Sequence, residues 1–456
     1  MAETTRPAAP PLAESEDPGK PGFRRVASRW EIVAFSVNDV IGSGVYLLPA
    51  AAAAILGPAS IGAVILAGFA VLLLVLCFAE ASSYFDRPGG AYLYTKHAFG
   101  ELIGFEVGWM TWIARVASVS SLSVGFAQAL TFLWPAAEGG WAQIAGIVIP
   151  LLALTAINFV GVKSGVRTAV FLAVTKTVPL LVFIGAGVFA VSRAVLAANG
   201  QAPRTGTLSE AALLLLFAYA GFENTPAPAG EFKNPRRDVP FALIAQITIV
   251  TLIYSAVQWV ALATLPGVAQ SQTPLADAAR LFLGPWAGGL LTVGAGVSIL
   301  GTNSNTVLAG PRYLYALAED GFGPRALASL HPRFRTPWVA ILTQSAIALP
   351  LALTGAKLVQ TGLALPPFLQ GSFARLATLS VIARLATYLG TAAAVPVLRR
   401  KYPDAPGVVR IPGGPLIPVA AALLCIVLAA SAKAENLIAG AVAIAVGLVI
   451  WAFRHR

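Results

Sequence analysis

Apolar runs of about 20 residues recur along nearly the whole chain, separated by short polar segments rich in Gly, Pro and basic residues. A helix of that length covers the roughly 30 Å of hydrocarbon in a bilayer. The runs lie near 31–57, 59–84, 101–134, 141–161, 166–192, 209–230, 239–265, 284–318, 338–354, 373–398, 412–432 and 436–453. The pattern predicts an all-α integral membrane protein with about twelve transmembrane helices.

Two of these runs are interrupted. The first reads Glu31-Ile-Val-Ala-Phe-Ser-Val-Asn-Asp-Val-Ile-Gly-Ser-Gly-Val-Tyr-Leu-Leu-Pro49, with Asn38 and Asp39 beside Gly42-Ser43-Gly44. The sixth passes from Phe217-Ala-Tyr-Ala-Gly-Phe-Glu223 into a Pro-rich stretch ending at Lys233-Asn-Pro-Arg-Arg237, whose prolines after Glu223 are expected to shape a short second half-helix. A break at membrane depth frees carbonyls on one side and amides on the other, tolerable only where they line a cavity or a ligand. Interruptions five helices apart match the corresponding-position pattern of inverted-repeat transporters. For either break alone, close helix packing through glycine is the other explanation.

Composition agrees with a membrane solvent: 57% of the 456 residues are hydrophobic and 11% charged, with a mean hydropathy of +0.76. Of the 31 basic residues, 22 fall in one set of alternating loops and tails and five (Arg193, Arg204, Arg280, Lys357, Lys433) in the other. Both termini are therefore expected in the cytoplasm. The net charge of +11 follows from that asymmetry and calls for no nucleic-acid partner. Residues 1–22, rich in Pro, Ala and Glu without an apolar core, are expected to form a disordered cytoplasmic tail. The remaining basic residues, Arg115, Lys176, Arg375 and Arg384, fall within spans. Cys77 and Cys425 lie in apolar runs, and His97, His331 and His455 show no metal-ligand spacing, so neither a metal site nor an enzyme is expected.

The stretches Gly42-Ser43-Gly44-Val-Tyr-Leu-Leu-Pro49, Phe78-Ala-Glu80 to Pro88-Gly-Gly-Ala-Tyr92, Phe217-Ala-Tyr-Ala-Gly-Phe-Glu223 with Gly230-Glu-Phe-Lys-Asn-Pro-Arg-Arg237, and Arg312 to Asp320-Gly321 together resemble the amino acid–polyamine–organocation permeases, including proton-coupled bacterial amino acid transporters. The likeness runs from about Trp30 to Arg400. It implies a LeuT-like fold: a core over 23–400 whose inverted repeats span about 31–192 and 209–398, with helices 1 and 6 discontinuous. Two additional transmembrane helices and a short cytoplasmic C-terminus over 401–456 would complete it. The implied location is the plasma (inner) membrane. The implied activity is alternating-access transport of amino acids, by proton symport of neutral or broad-range L-amino acids. Exchange of cationic amino acids or polyamines is the alternative, and a sensor or channel on the same fold a further one.

The substrate site is expected between the breaks, at Val40, Ile41, Gly42, Ser43, Gly44, Phe217, Ala218, Ala220 and Gly221. Amides of Ser43 and Gly44 at a helix N-terminus suit an α-carboxylate. By resemblance, carbonyls near Val40 and at Phe217 and Ala220 suit an α-ammonium, and Phe217 takes the place of an aromatic gate.

Lys176 lies about nine positions past Arg167, roughly 13 Å into its helix, where a basic side chain costs at least about 2.5 kcal/mol. Proton-coupled relatives place a lysine here, approaching helix 1 where sodium-coupled ones hold sodium, so Lys176 is assigned to proton coupling and no sodium site is expected; snorkelling to the surface is the alternative. Asp39 and Glu223 are the other candidates for proton coupling; either could pair with Lys176 or bind a cationic side chain. Asp39 departs from the usual uncharged residue of the family motif. Membrane lipid is the only other partner expected, and the oligomeric state is left open.

Overall fold

The computed structural model describes residues 23–42, 44–137, 139–200, 208–356, 373–432 and 434–453. The expected tail over 1–22, and Ser43 among the expected site residues, lie outside them. The described residues are helical apart from turns and one isolated bridge, Ala27 to Phe232.

The first run is split into α1 (Arg29–Val40) and α2 (Gly44–Leu56), followed by α3 (Ser60–Ser83), the short α4 (Ala91–Phe99), α5 (Glu101–Leu133), α6 (Gly140–Val160) and α7 (Val162–Gly187). After α8 (Arg193–Gly200) a similar order of lengths returns. α9 (Leu208–Tyr219) ends at a break, then come α10 (Pro235–Thr264), the short α11 (Pro274–Leu283), α12 (Pro285–Glu319), α13 (Trp338–Leu353) and α14 (Phe373–Lys401). α15 (Leu416–Ala430) and α16 (Ala434–Phe453) close the chain. Three of the helices begin on proline, Pro235, Pro274 and Pro285, whose missing N–H would be unpaired there in any case.

Gly44–Ser83, Glu101–Thr131, Gly140–Val160, Ser164–Ala190 and Pro235–Thr264 are long and apolar enough to cross a bilayer. Trp338–Leu353, Leu416–Ala430 and Leu437–Ala452 are apolar but shorter. Other stretches in the hydrophobic pattern depart from a plain span for physical reasons. α1 and α9 are cut to 12 residues each by their breaks, and α12 buries Asn303, Ser304, Asn305 and Arg312.

The segment after Glu223 was expected to form a short second half-helix, but it descends through two 3₁₀ turns, Phe222–Asn224 and Ala229–Glu231. Pro226 and Pro228 have no N–H to extend an α-helical ladder. The neighbouring amides take i→i+3 bonds instead: Asn224 to Gly221, Thr225 to Phe222, Ala227 to Asn224, Ala229 to Pro226 and Glu231 to Pro228. The chain before α1 is tied to this descent, Val26 N–H donating to Glu231 O and Lys233 N–H to Ala27 O.

α1 packs against α7, α10 and α12, which place it at the centre of the helix bundle. α7 shows how the pattern sorts faces. Phe171, Val174, Val178 and Leu181 are exposed, whereas Ala169, Ala173, Lys176, Leu180 and Phe183 form the buried stripe at helical spacing. Lys176 thus points inward, which removes the snorkelling alternative.

Candidate functional site

The two breaks meet. Gly221, at φ +131°, lies so close to α1 that a Cβ there would stand 2.9 Å from the carbonyl carbon and oxygen of Asp39. Only glycine combines that backbone conformation with that approach. Tyr254 of α10 clasps both broken ends, its hydroxyl lying 2.9 Å from Val40 O and 3.1 Å from Ala218 O. It has one proton for two acceptors, so the bond is shared.

The last turn of α1 presents its carbonyls to side chains from three other helices. Lys176 Nζ, completely buried, donates to the carbonyls of Asn38 and Ile41. Ser298 donates to Ile41 O at 2.9 Å, while the Asn38 amide reaches Gly301 O at 2.9 Å and Asn305 Oδ1 at 2.8 Å on α12. A Cβ on Gly301 would fall 2.5 Å from Asn38 Oδ1 and 3.1 Å from Lys176 Nζ, so that glycine makes room for the lysine. An ammonium at the carbonyl end of a helix is favoured by the helix dipole. Lys176 therefore sets its amine at the carbonyl end of α1, beside the break.

A second charged group is built on Glu223, also completely buried. Its Oε1 accepts from Arg115 of α5 at 2.8 Å and from Arg384 of α14. Its Oε2 accepts from the Tyr388 hydroxyl at 2.8 Å and from Gly221 N–H at 2.9 Å. Arg115 donates also to Asn224 Oδ1 at 2.5 Å, and Asn224 donates to Asp39 Oδ2 at 2.5 Å. Asp39 is thereby linked through Asn224 and Arg115 to the same carboxylate that holds Arg384. Neither carboxylate bonds Lys176, although a pairing was among the readings of the sequence: the helix-end carbonyls take the ammonium, and the guanidinium pair takes Glu223.

Between the breaks and α5 lies a cavity lined by Asp39, Val40, Gly42, Gly44, Phe217, Ala218 and Ala220 on one side. Ser118, Ser121, Leu122, Thr302, Ser380 and Arg384 line the other. Most of the residues expected at the site are therefore brought together. Ile41 and Gly221 stand just behind the cavity, Ile41 O spent on Lys176 and Ser298 and Gly221 packed on Asp39. Of the polar residues on α5 and α12, Ser118 and Ser121 face the cavity, whereas Asn303 donates to Ser123 and Asn305 to Phe35 O. The partners of Arg115 and Arg384 were not legible in the sequence. The available signal was arithmetic: basic residues within spans must be compensated, and Glu223 and Asp39 lie beside the breaks.

Away from the cavity, further buried charges are paired. Arg312 meets Glu231 at 2.8 Å. Glu80 takes Arg399 through both its oxygens at 2.6 Å, with Ile411 N–H at 2.9 Å. Near the end of α12, Arg87 reaches Glu319 at 3.0 Å and Lys96 reaches Asp320 at 2.7 Å.

A helical membrane protein whose paired breaks enclose a charged cavity falls in the class of membrane permeases, not of enzymes. Residues 28–453 match the family described as amino acid permease, and the chain belongs to that family. Among similar proteins of Bacillus subtilis (strain 168), the serine/threonine exchanger SteT is 32% identical over 70% of this chain and 74% of its own. The methylthioribose transporter is 29% identical over 95% and 94%. The branched-chain amino acid permease BcaP is 26% identical over 96% and 94%.

Proposed function

We propose that this protein is a proton-coupled symporter of neutral or broad-range L-amino acids, working by alternating access on a LeuT-like frame in the plasma membrane with both termini cytoplasmic. The observation that carries the reading is Lys176, seated on the Asn38 and Ile41 carbonyls at the end of the broken α1. A protonated lysine there fills a cation's place with its own charge; loss of the proton removes that charge and weakens the bonds to the carbonyls that hold α1 against α7. Loading and unloading of one proton is thereby tied to the packing of the helix that also carries the cavity wall. The repeated order of helix lengths, one series on each side of α8, supports the inverted-repeat frame.

In this reading the substrate lies between the breaks. Its ammonium faces the Asp39 carboxylate and the α1 and α9 carbonyls, its carboxylate faces the start of α2, and Phe217 lies over it. Exchange is the second reading, favoured by the likeness to a protein named as an exchanger.

The test is uptake of radiolabelled amino acids into proteoliposomes, with and without an inward proton gradient, beside Lys176→Ala. Symport predicts gradient-driven accumulation in empty vesicles that the substitution abolishes. Uptake only into preloaded vesicles, indifferent to the gradient, would replace symport with exchange.

A further inference from the structure

The cavity wall opposite the breaks carries five polar side chains. Ser118 and Ser121 of α5, Thr302 of α12, and Ser380 and Arg384 of α14 line it, with Leu122 between. Arg384 is anchored rather than loose: Nε donates to Ser380 Oγ at 3.0 Å, Nη2 to Ser118 Oγ at 3.0 Å, and Nη1 to Glu223. The two serine hydroxyls are themselves 2.8 Å apart. Each serine has one proton. Both oxygens accept from the guanidinium and one hydroxyl donates to the other, which leaves the second hydroxyl a proton with no acceptor in this cluster among the described residues. The Arg384 side chain keeps 10% of its surface accessible, on the cavity side. This wall therefore offers donors, and what complements it is an acceptor oxygen.

Charge count points the same way. Around the cavity the buried cations are Arg115, Arg384 and Lys176, and the buried anions are Asp39 and Glu223. With Lys176 protonated, a guest with a cationic side chain would add to a surplus of positive charge in a low-dielectric site, whereas a neutral or anionic one would not.

We propose that Arg384, oriented by Ser118 and Ser380, forms a side-chain subsite that selects substrates bearing a hydroxyl or carboxylate oxygen beyond the α-carbon and rejects cationic side chains. The proposal rests on the reading of the cavity as the amino acid site. It assigns Arg384 a recognition role beyond its ion pair with Glu223.

Equilibrium binding to the purified full chain, measured by titration calorimetry with L-alanine, L-serine, L-threonine, L-aspartate, L-leucine and L-lysine, tests it. Serine, threonine and aspartate are expected to bind at least about tenfold tighter than leucine, with lysine weakest. In Ser380→Ala the loss of affinity for threonine should exceed that for alanine by about tenfold, and Arg384→Lys should flatten the ranking further. Leucine or lysine binding tightest to the unsubstituted protein would overturn the subsite while leaving the amino acid site in place, and so would equal losses for threonine and alanine. Silence of the whole panel would overturn both. If Arg384→Lys does not fold, the ranking in the unsubstituted protein and the Ser380→Ala comparison decide.

Discussion

Glu223→Gln asks how much of the core depends on one carboxylate. Oε1 lies 2.8 Å from Arg115, a separation at which a unit charge pair attracts by about 6 kcal/mol at an effective dielectric of about 20. Arg384 adds a second guanidinium on the same oxygen. Much of that attraction is offset by the desolvation of all three groups, so removing the anion is expected to cost about 3–5 kcal/mol, the range for breaking a buried pair. Glutamine is nearly the same shape and could still accept from one guanidinium through its carbonyl. Its NH2 would then face Gly221 N–H, 2.9 Å from Oε2 in the native protein, and two donors would oppose each other at about 1–3 kcal/mol more. The assay is intrinsic tryptophan fluorescence during thermal unfolding in detergent, for Glu223→Gln, Arg384→Gln and the double variant. A drop in Tm of at least about 5 °C is expected for Glu223→Gln. The double variant should be less destabilised than the sum of the singles, because Arg384, one of the two guanidinia that Glu223→Gln leaves uncompensated, is then absent, while Arg115 remains. A Glu223→Gln protein within about 1 °C of the native Tm, or singles that simply add, would refute the claim that this carboxylate holds the guanidinium pair.

Three shorter tests address the breaks and the outlying pairs. Gly221→Ala must adopt φ +131° with its Cβ 2.9 Å from the Asp39 carbonyl, so it should lose substrate binding and lower Tm, whereas Ala220→Gly, one residue earlier, should do neither to that extent; comparable Tm values for the two would contradict the contact. Tyr254→Phe removes the shared proton on Val40 O and Ala218 O and should cost about 1–2 kcal/mol, read as a lower Tm together with slower uptake. Glu231→Gln strands buried Arg312 and should cost about 3–5 kcal/mol, and pairing it with Arg312→Met should recover most of that loss in the same unfolding measurement.

How far the chain could be read before folding differs from residue to residue. The breaks were legible because Gly42, Gly44 and Gly221 stand beside Asp39 and Glu223 in runs otherwise apolar, a local anomaly in a pattern that a bilayer enforces. The inward direction of Lys176 was half legible: its depth came from spacing, but its bonding to carbonyls and not to carboxylates came from where α1 ends. The prolines after Glu223 were read as shaping a half-helix, yet their missing N–H groups produce 3₁₀ turns, because the backbone bonds that remain are of i→i+3 type.

Hydrophobicity along the chain settled by itself that this is a helical membrane protein, where its helices are interrupted and which charges must be compensated, since each follows from the cost of placing peptide groups and charges in hydrocarbon. Which charge compensates which was left to the tertiary structure. Glu223 meets Arg115 and Arg384 from positions 108 and 161 residues away, and hydropathy carries no information about which helices become neighbours. The same holds for the cavity wall: Ser118 and Ser380 become a guanidinium cradle only when α5 and α14 are packed side by side, because a hydroxyl's partner is determined by distance in space and not by its place in a span.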